Sequence, residues 1–197
     1  MDEKTIRYYN ENTSSFTAST RDVAFNTIQD RFLSELKPDA LILDLGCGSG
    51  RDTKYFLDHH HPVEAMDGSE AMARAASAYT GVDVKHMYFN ELNEKNRYDA
   101  IWACSSLLHV PKKGLPDILQ KCASALKKNG LFYLSFKYGG FEGYRNNRYF
   151  TDLTEQSLTE LLKQVPSLIL CESWISSDVR PGRENEKWLN AFLHRII

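Results

Sequence analysis

Long apolar runs, paired cysteines and an excess of one charge are all absent from this chain. No apolar stretch approaches the ~20 residues needed to cross a bilayer, so no membrane-spanning segment is expected. The N-terminus, Met1-Asp-Glu-Lys, is polar and lacks the apolar core of a signal peptide, which predicts a cytoplasmic location. The net charge of −2 gives no overall attraction to nucleic acid, so a nucleic-acid partner is not expected.

Cysteine and histidine are present, but not in the spacings that bind metals. The four cysteines are far apart and form no C-x-x-C pair, and all but Cys47 lie in apolar segments, where free cysteine packs as a small hydrophobe. A disulfide framework is therefore not expected. The three histidines at 59–61 cannot all face one ion from a helix end, and no neighbouring cysteine or acid completes a tetrahedral set. We predict no metal site.

What the chain does contain is an alternation of apolar strand-like and amphipathic helix-like segments within 197 residues, a length that suits one domain. Residues 1–37 have the pattern of helices. Strands are expected at 40–45, 62–66, 82–89, 98–103, 131–136, 168–175 and 187–197. Helices are expected at 52–59, 70–79, 116–128 and 154–164, and a polar loop follows the fifth strand. This alternation predicts a mainly parallel sheet covered by helices on both faces, and the last two strands predict an antiparallel hairpin at its edge.

The stretch Leu41-Ile-Leu-Asp-Leu-Gly-Cys-Gly-Ser-Gly50 is the strongest functional signal. A buried strand runs into a turn with glycine at every second position, which lets the backbone approach a ligand closely. Dinucleotide-binding turns have the spacing G-x-G-x-x-G and accept a pyrophosphate. Here the spacing is G-x-G-x-G, and Asp44 precedes it. A carboxylate at that position repels phosphate and attracts an ammonium group.

A second acid, Asp67, ends the next predicted strand, ~20 residues further on, where such an acid usually binds ribose hydroxyls. A ligand with a ribose, an ammonium group and no phosphate is S-adenosylmethionine (SAM) or its demethylated product. The segments Asp44-Leu-Gly-Cys-Gly-Ser-Gly50 and Met66-Asp67-Gly-Ser resemble the first two motifs of class I SAM-dependent methyltransferases.

This resemblance extends over residues 40–137 and implies a Rossmann-like three-layer α/β/α sandwich. Its seven-stranded sheet would be mainly parallel, with an antiparallel C-terminal strand. It implies one methyltransferase domain over 1–197, with a helical lid at 1–37 and the core at 38–197. Small stand-alone enzymes, similar to tellurite-resistance-like and quinone-biosynthesis methyltransferases, are the nearest type. The cofactor contacts it implies are Asp44, Gly46, Cys47, Gly48, Gly50, Asp67, Gly68 and Ser69.

Three further segments gain candidate roles from the resemblance. The lead-in Arg7-Tyr-Tyr-Asn is similar to lids of related small methyltransferases, which places Tyr8 or Tyr9 over the methionine end of SAM. The alternative is an amphipathic helix packed elsewhere. After the third strand, Phe89 would flank the adenine ring and Asn90 would reach its edge, although ordinary packing at a strand end explains them equally well.

The fourth strand ends at Ala103, and the residues after it would face the transferred methyl group. The [DNS]-P-P-[FYW] motif of amino-directed DNA methylases is absent here. His109 is the candidate general base, with a pKa near neutrality, and the alternative is a histidine that packs beneath the loop.

Two long polar loops carry aromatic and basic residues to the edge where parallel sheets bind ligands. We expect them to wall a site for a small and anionic acceptor, although a solvated cationic surface is an equal alternative. The residues are Lys137, Tyr138, Tyr144, Arg145, Arg148, Tyr149, Arg180 and Arg183.

The sequence thus favours methyl transfer from SAM to a small-molecule acceptor. Two alternatives stay open at this point. The same core can methylate nucleic acid or protein, although no appended RNA-binding module or aromatic-basic stripe is present. The chain can also be a nucleotide-binding protein of another kind, such as a nicotinamide-dependent oxidoreductase, which the glycine spacing and Asp44 disfavour.

Overall fold

The computed structural model describes residues 2–196. The helices of this part of the chain are α1 (Glu3–Glu11), α2 (Thr13–Thr20), α3 (Asn26–Ser34), α4 (Arg51–Asp58), α5 (Glu70–Thr80), α6 (Leu115–Ala125) and α7 (Glu155–Leu162). The strands are β1 (Ile42–Leu45), β2 (Val63–Asp67), β3 (Lys85–His86), β4 (Tyr98–Ala103), β5 (Leu126–Lys137), β6 (Glu142–Arg145), β7 (Arg148–Thr151), β8 (Leu168–Ser177) and β9 (Lys187–Arg195).

Seven strands form one sheet in the order β3-β2-β1-β4-β5-β9-β8. The first five run parallel, and β9 is antiparallel to both β5 and β8. This is the predicted Rossmann-like sandwich with a reversed C-terminal strand, so the fold class is confirmed. Because the strand order reverses beside β1, the carboxyl ends of β1 and β4 open a crevice where ligands bind in such sheets.

Side-chain alternation along the strands divides the core into two faces. On one face Ile42, Ala100 and Trp102 pack with Phe32 of α3 and Phe56 of α4. On the other face, the apolar odd-numbered residues of β1 and β4 pack with helices α6 and α7. The same alternation decides which side chains at the strand ends can reach the crevice.

Two helices begin at the residues that the sequence indicates. Ser69 accepts a hydrogen bond from the Met72 amide at the start of α5, and Thr154 accepts one from the Ser157 amide at the start of α7. The Ser69 cap fixes the start of α5 directly after the Asp67 turn, which positions both at the crevice.

Two predicted elements differ in the structure. The third strand has only two residues, Lys85–His86, and the segment Phe89–Glu91 is a 3₁₀ turn. Helix α6 ends at Ala125, and β5 begins at Leu126, before the Asn129-Gly130 pair that was expected to end the helix. Met1 and Ile197, which fall within the predicted segments 1–37 and 187–197, lie outside the described residues.

The loop after β5 was expected to be irregular, but it contains the hairpin of β6 and β7. Asn146 and Asn147 form its two-residue turn, with φ of +48° and +63°. Asparagine tolerates this left-handed conformation, which matches the twist of a two-residue hairpin. The Asn-Asn pair between alternating residues is the sequence signal that predicts this hairpin.

The N-terminal helices join the sandwich through specific side chains. In α1, Thr5 Oγ1 accepts a hydrogen bond from the Tyr149 amide of the hairpin at 2.8 Å. Asn10 Oδ1 of the same helix accepts one from Ser69 Oγ at 2.7 Å. Helix α1 therefore bridges the start of α5 and the β6–β7 hairpin, across the crevice. Among residues 2–196, no helix combines the length and apolar character that a membrane span requires.

Candidate active site

A cavity lies at the carboxyl ends of β1, β2, β4 and β5, beneath α1 and α2. Its wall near the glycine turn includes Gly46, Cys47, Gly48, Asp67, Gly68 and Phe89. Its opposite wall includes Lys137, Arg148, Phe150, Asp178, Arg180, Arg183, Trp188 and Asn190. Tyr9 and His109 also line the cavity, so it combines residues from most of the predicted segments in one space.

The glycine turn packs against the loop after β4 with no room for a side chain. Gly46 has φ of +81°, and a Cβ atom there would lie 2.6 Å from the Ser106 Cβ. The amides of Gly46 and Cys47 both donate to the Met66 carbonyl, at 2.9 and 3.0 Å. The Gly48 amide donates to Asp67 Oδ2 at 2.9 Å. These three amides therefore already have acceptors within the protein.

The Asp67 carboxylate lies at the cavity wall, where the sequence predicts a ribose-binding acid. Its Oδ1 accepts the Ser69 amide at 2.8 Å, in addition to the Gly48 amide on Oδ2. Burial raises the pKa of Asp67, and the two amide hydrogen bonds oppose that rise. A carboxylate can accept about four hydrogen bonds, so the two oxygens still have lone pairs for two ligand hydroxyls.

The structure does not place Asp44 on the cavity wall, so of the two modes expected for this acid, direct contact with the methionine end or contact through water, the geometry favours the second. Alternation along β1 directs its side chain to the face of α4, where Oδ2 accepts a hydrogen bond from Thr53 Oγ1 at 2.5 Å. Burial, together with the negative charge of Asp52, raises the pKa of Asp44 well above its ordinary range. Asp44 can therefore affect a ligand in the cavity through a bridging water molecule or through its electrostatic field.

Four other predicted cofactor residues also lie outside the cavity lining. A Cβ on Gly50 would lie 2.9 Å from Thr80 Cγ2, so Gly50 allows α4 and α5 to pack closely. Ser69 uses its hydroxyl as the helix cap and as a donor to Asn10. Asn90 is exposed in the 3₁₀ turn, and Ala103 points into the apolar core. Phe89, by contrast, is at the cavity, as predicted.

Tyr9 and His109 form a hydrogen-bonded pair at the centre of the site. His109 Nδ1 lies 2.6 Å from the Tyr149 carbonyl, which can only accept, so this nitrogen carries the proton. Nε2 then accepts from the Tyr9 hydroxyl at 2.8 Å. Burial lowers the pKa of His109 to about 4, which is below the near-neutral value expected from the sequence. His109 is therefore neutral at pH 7 and holds the phenol in a fixed orientation.

Of the eight loop residues predicted to wall an acceptor site, the cavity contains Lys137, Arg148, Arg180 and Arg183. The side chains of the other four, Tyr138, Tyr144, Arg145 and Tyr149, are not part of the lining.

Sequence reasoning predicted Tyr9 and Phe89 at the site but missed four other aromatic residues of the cavity. Phe16 and Phe25 come from the N-terminal segment, Phe150 from the hairpin and Trp188 from β9. Phe16 and Phe25 are visible in the sequence as aromatic residues of the N-terminal segment. No local pattern, however, indicates that the reversed strand β9 presents Trp188 to the cavity. These aromatic side chains give the cavity an apolar surface in addition to its cationic residues.

The fold is that of class I SAM-dependent methyltransferases, and the glycine turn and Asp67 agree with the sequence resemblance. A methyltransferase-domain family profile matches residues 42–130. In the structure of Burkholderia thailandensis 1,6-didemethyltoxoflavin N1-methyltransferase, crystallised with 1,6-didemethyltoxoflavin and S-adenosylhomocysteine, the same fold recurs with a TM-score of 0.73. That comparison covers 98% of this chain and 91% of the other, at 23% identity. These similarities indicate SAM as the cofactor.

Two relatives by sequence are described as methyltransferases, and one of the two descriptions names an acceptor. A Staphylococcus carnosus protein described as an uncharacterized methyltransferase is 27% identical over 75% of both chains. The N-terminal Xaa-Pro-Lys N-methyltransferase 1-A of Xenopus laevis is 32% identical over 49% of this chain. That match spans 46% of the Xenopus protein, so more than half of that protein has no counterpart in the comparison.

Proposed function

We propose that this enzyme transfers the methyl group of SAM to a small molecule that is enclosed between the glycine turn and the Trp188 wall. In this proposal Asp67 accepts the ribose hydroxyls, and the backbone at Gly46–Gly48 lies against the nucleoside. Phe89 flanks the adenine ring. The observation that carries the proposal is the single cavity that joins the Asp67 wall to the aromatic and cationic wall beneath α1.

The hydrogen bonds of the glycine turn support SAM over a dinucleotide. A pyrophosphate needs free backbone amides at such a turn. Here the amides of Gly46, Cys47 and Gly48 are bound to the Met66 carbonyl and to Asp67. The Asp67 carboxylate lies at this turn, and the buried Asp44 ionises when a cation binds near it. A cationic methionine tail suits these surroundings, and a diphosphate does not.

The N-terminal residues 2–37 act in this proposal as a cover that belongs to the same domain as the core. Thr5 and Asn10 fasten α1 to both sides of the cavity, and Tyr9 and Phe16 complete its wall. Because the cavity is covered by the chain itself, a small acceptor fits it better than a folded macromolecule. A cytoplasmic location follows from the same proposal, since SAM is made and used in that compartment.

Tyr9 is proposed to touch the acceptor, with His109 as its positioning residue. The Tyr9 hydroxyl donates to His109 and accepts only a long hydrogen bond from Arg148, so its oxygen can accept a further hydrogen bond from an acceptor O–H or N–H group. This contact would align the attacking atom with the methyl carbon, and alignment is the main requirement of an in-line methyl transfer. The Tyr9→Phe substitution removes the hydroxyl that makes this contact and keeps the aromatic ring.

Incubation with methyl-labelled SAM and a fractionated cell extract tests the proposed acceptor class. We expect label in the low-molecular-weight fraction, and no label when the Asp67→Ala variant replaces the wild type. A synthetic peptide with an N-terminal Xaa-Pro-Lys sequence serves as the alternative acceptor, because a relative carries that name. Label confined to protein or peptide would contradict the small-molecule proposal and favour that alternative.

The raised pKa of Asp44 predicts that affinity for S-adenosylhomocysteine increases with pH. In the ligand-free protein Asp44 holds a proton at pH values where an unfolded aspartate has lost it, so this group makes folding less favourable as pH rises above about 4. The ammonium group of the ligand favours the ionised carboxylate, so binding releases that proton and tightens as pH rises.

Calorimetric titrations from about pH 6 to about pH 9 measure this effect. In Asp44→Asn, the pH-dependent component should disappear, and the affinity should stay at the weaker, low-pH level. Glu64→Gln, on the neighbouring strand β2, is the control and should leave the pH profile unchanged. A wild-type affinity that is flat across this range would contradict the role of Asp44.

A further inference from the structure

Besides Arg51, which binds both oxygens of Asp52 at 2.7 and 3.0 Å, the cavity contains four cations, and these differ in whether a carboxylate neutralises them. Arg180 binds both oxygens of Asp178, at 2.8 and 2.5 Å. Arg183 binds both oxygens of Glu186, at 2.5 and 2.8 Å. Lys137 forms an ion pair with Glu186 and lies 3.8 Å from Asp178. These three cations are therefore compensated before any ligand binds.

Arg148 is different, because no carboxylate of residues 2–196 lies within ion-pair distance of its guanidinium. Its Nε is buried without a hydrogen-bond partner. Its Nη1 donates only a long hydrogen bond, 3.4 Å, to the Tyr9 hydroxyl. A buried donor without an acceptor is unfavourable, so the Arg148 Nε favours a ligand that brings an acceptor to it.

Aromatic rings hold the Arg148 side chain in place. Its guanidinium carbon lies 4.6 Å from the centre of the Tyr8 ring and 5.2 Å from that of Phe150. The residue also follows the tight Asn146-Asn147 turn of the hairpin directly, which fixes its backbone. A guanidinium held in this way loses little entropy when it binds a planar oxyanion through two parallel hydrogen bonds.

We propose that Arg148 binds an anionic group of the methyl acceptor, and that the acceptor is an aromatic carboxylate. The inference rests on the proposed function. The carboxylate would receive the free Nε and Nη hydrogens of Arg148, beside the Tyr9 hydroxyl. The aromatic body would lie against Phe25, Phe150 and Trp188, which form the apolar part of the wall. Arg180 and Arg183, which the sequence indicated with equal weight, serve to hold the 176–186 loop through their own acids.

Benzoate and benzamide are the probes, since they differ in charge and share the ring and the planar head group. Their binding is measured by calorimetry to the protein saturated with S-adenosylhomocysteine. We expect benzoate to bind at least about tenfold more tightly than benzamide, because a charge-assisted bidentate pair contributes about 1.5–3 kcal/mol. Arg148→Gln should reduce benzoate affinity to the benzamide level, and Arg148→Lys should restore part of the difference.

Arg145→Gln is the matched control from the same hairpin. Arg145 binds Asp152 at 2.6 and 2.9 Å and lies outside the cavity lining, so this variant should keep the preference for benzoate. Equal affinities of the wild type for benzoate and benzamide would overturn the inference. An equal loss of benzoate affinity in Arg148→Gln and Arg145→Gln would overturn it as well.

Titration of S-adenosylhomocysteine into each variant separates the inference from the proposed function. The affinity of Arg148→Gln for this nucleoside should equal that of the wild type. If only Arg148→Gln lost affinity for S-adenosylhomocysteine, the arginine would be assigned to the carboxylate of the cofactor. Its role toward the acceptor would then be overturned. Absence of binding in the wild type would instead refute the proposed cofactor arrangement.

Discussion

Replacing Asp67 with alanine is expected to weaken S-adenosylhomocysteine binding by at least about 100-fold. Hydrogen bonds to a charged group contribute about 1.5–3 kcal/mol each, and the proposal assigns two ribose hydroxyls to this carboxylate. The variant also removes the acceptor of the Gly48 and Ser69 amides, which lie at 2.9 and 2.8 Å. Both sides of the ribose site therefore lose their fixed geometry.

Calorimetry measures the affinity, and far-ultraviolet circular dichroism with urea unfolding verifies that the variant is folded. Glu64→Ala is the control on the same strand. Glu64 is partly exposed and binds Arg97 and Tyr98 away from the cavity, so its removal should leave the affinity unchanged. An Asp67→Ala protein that is folded and binds with wild-type affinity would contradict the ribose assignment.

The position of Asp67 illustrates what local sequence determines. A buried strand that ends in an acid, followed by a serine cap, leaves the acid at the carboxyl end of the strand, whichever elements pack around it. The same reasoning placed Gly46, Gly48 and Gly68 at the cavity. Strand order follows from the βαβ alternation and its handedness, so the crevice beside β1 was predictable as well.

Asp44 illustrates what local sequence does not determine. Its proximity to the glycine turn predicted a role at the methionine end of the ligand, directly or through water. Which of the two applies depends on the side-chain direction, and therefore on the register of β1 against the helices. Alternation turned the carboxylate toward Thr53. For Gly50, the deciding factor was a tertiary neighbour, Thr80 of α5. Neither neighbour is visible in a spacing pattern, because both lie on elements that pack only in the complete fold.

The cationic wall gives a third case. Composition and loop length indicated eight candidate residues without distinguishing among them. Pairing separates them, since Arg180 and Arg183 bind acids two and three residues away in the same loop, whereas Arg148 does not bind one. The short separations of Arg180 from Asp178 and of Arg183 from Glu186 are visible in the sequence and indicate compensation. Arg148 lies in the β6–β7 hairpin, where no carboxylate of the described residues pairs with it. This hairpin depends on the Asn146-Asn147 turn.

Replacing Gly46 with alanine is expected to destabilise the protein by about 2–5 kcal/mol and to abolish cofactor binding. Left-handed backbone costs an alanine roughly 1–2 kcal/mol. The remainder comes from overpacking, which costs about 1–3 kcal/mol, since the new Cβ would lie 2.6 Å from the Ser106 Cβ. The turn or the loop after β4 must move, and both line the cavity.

Ser106→Gly tests whether the clash is the cause. This substitution alone removes the Ser106 hydrogen bond to the Leu45 carbonyl, at a cost of about 1 kcal/mol. In the double variant the new Cβ has space toward residue 106, so the free energy of unfolding should exceed the additive value by about 1–3 kcal/mol. Urea unfolding of the wild type and the three variants measures this difference. Additive losses would show that the loop after β4 does not constrain the turn, and the close approach of the two segments would then have no part in holding the cofactor.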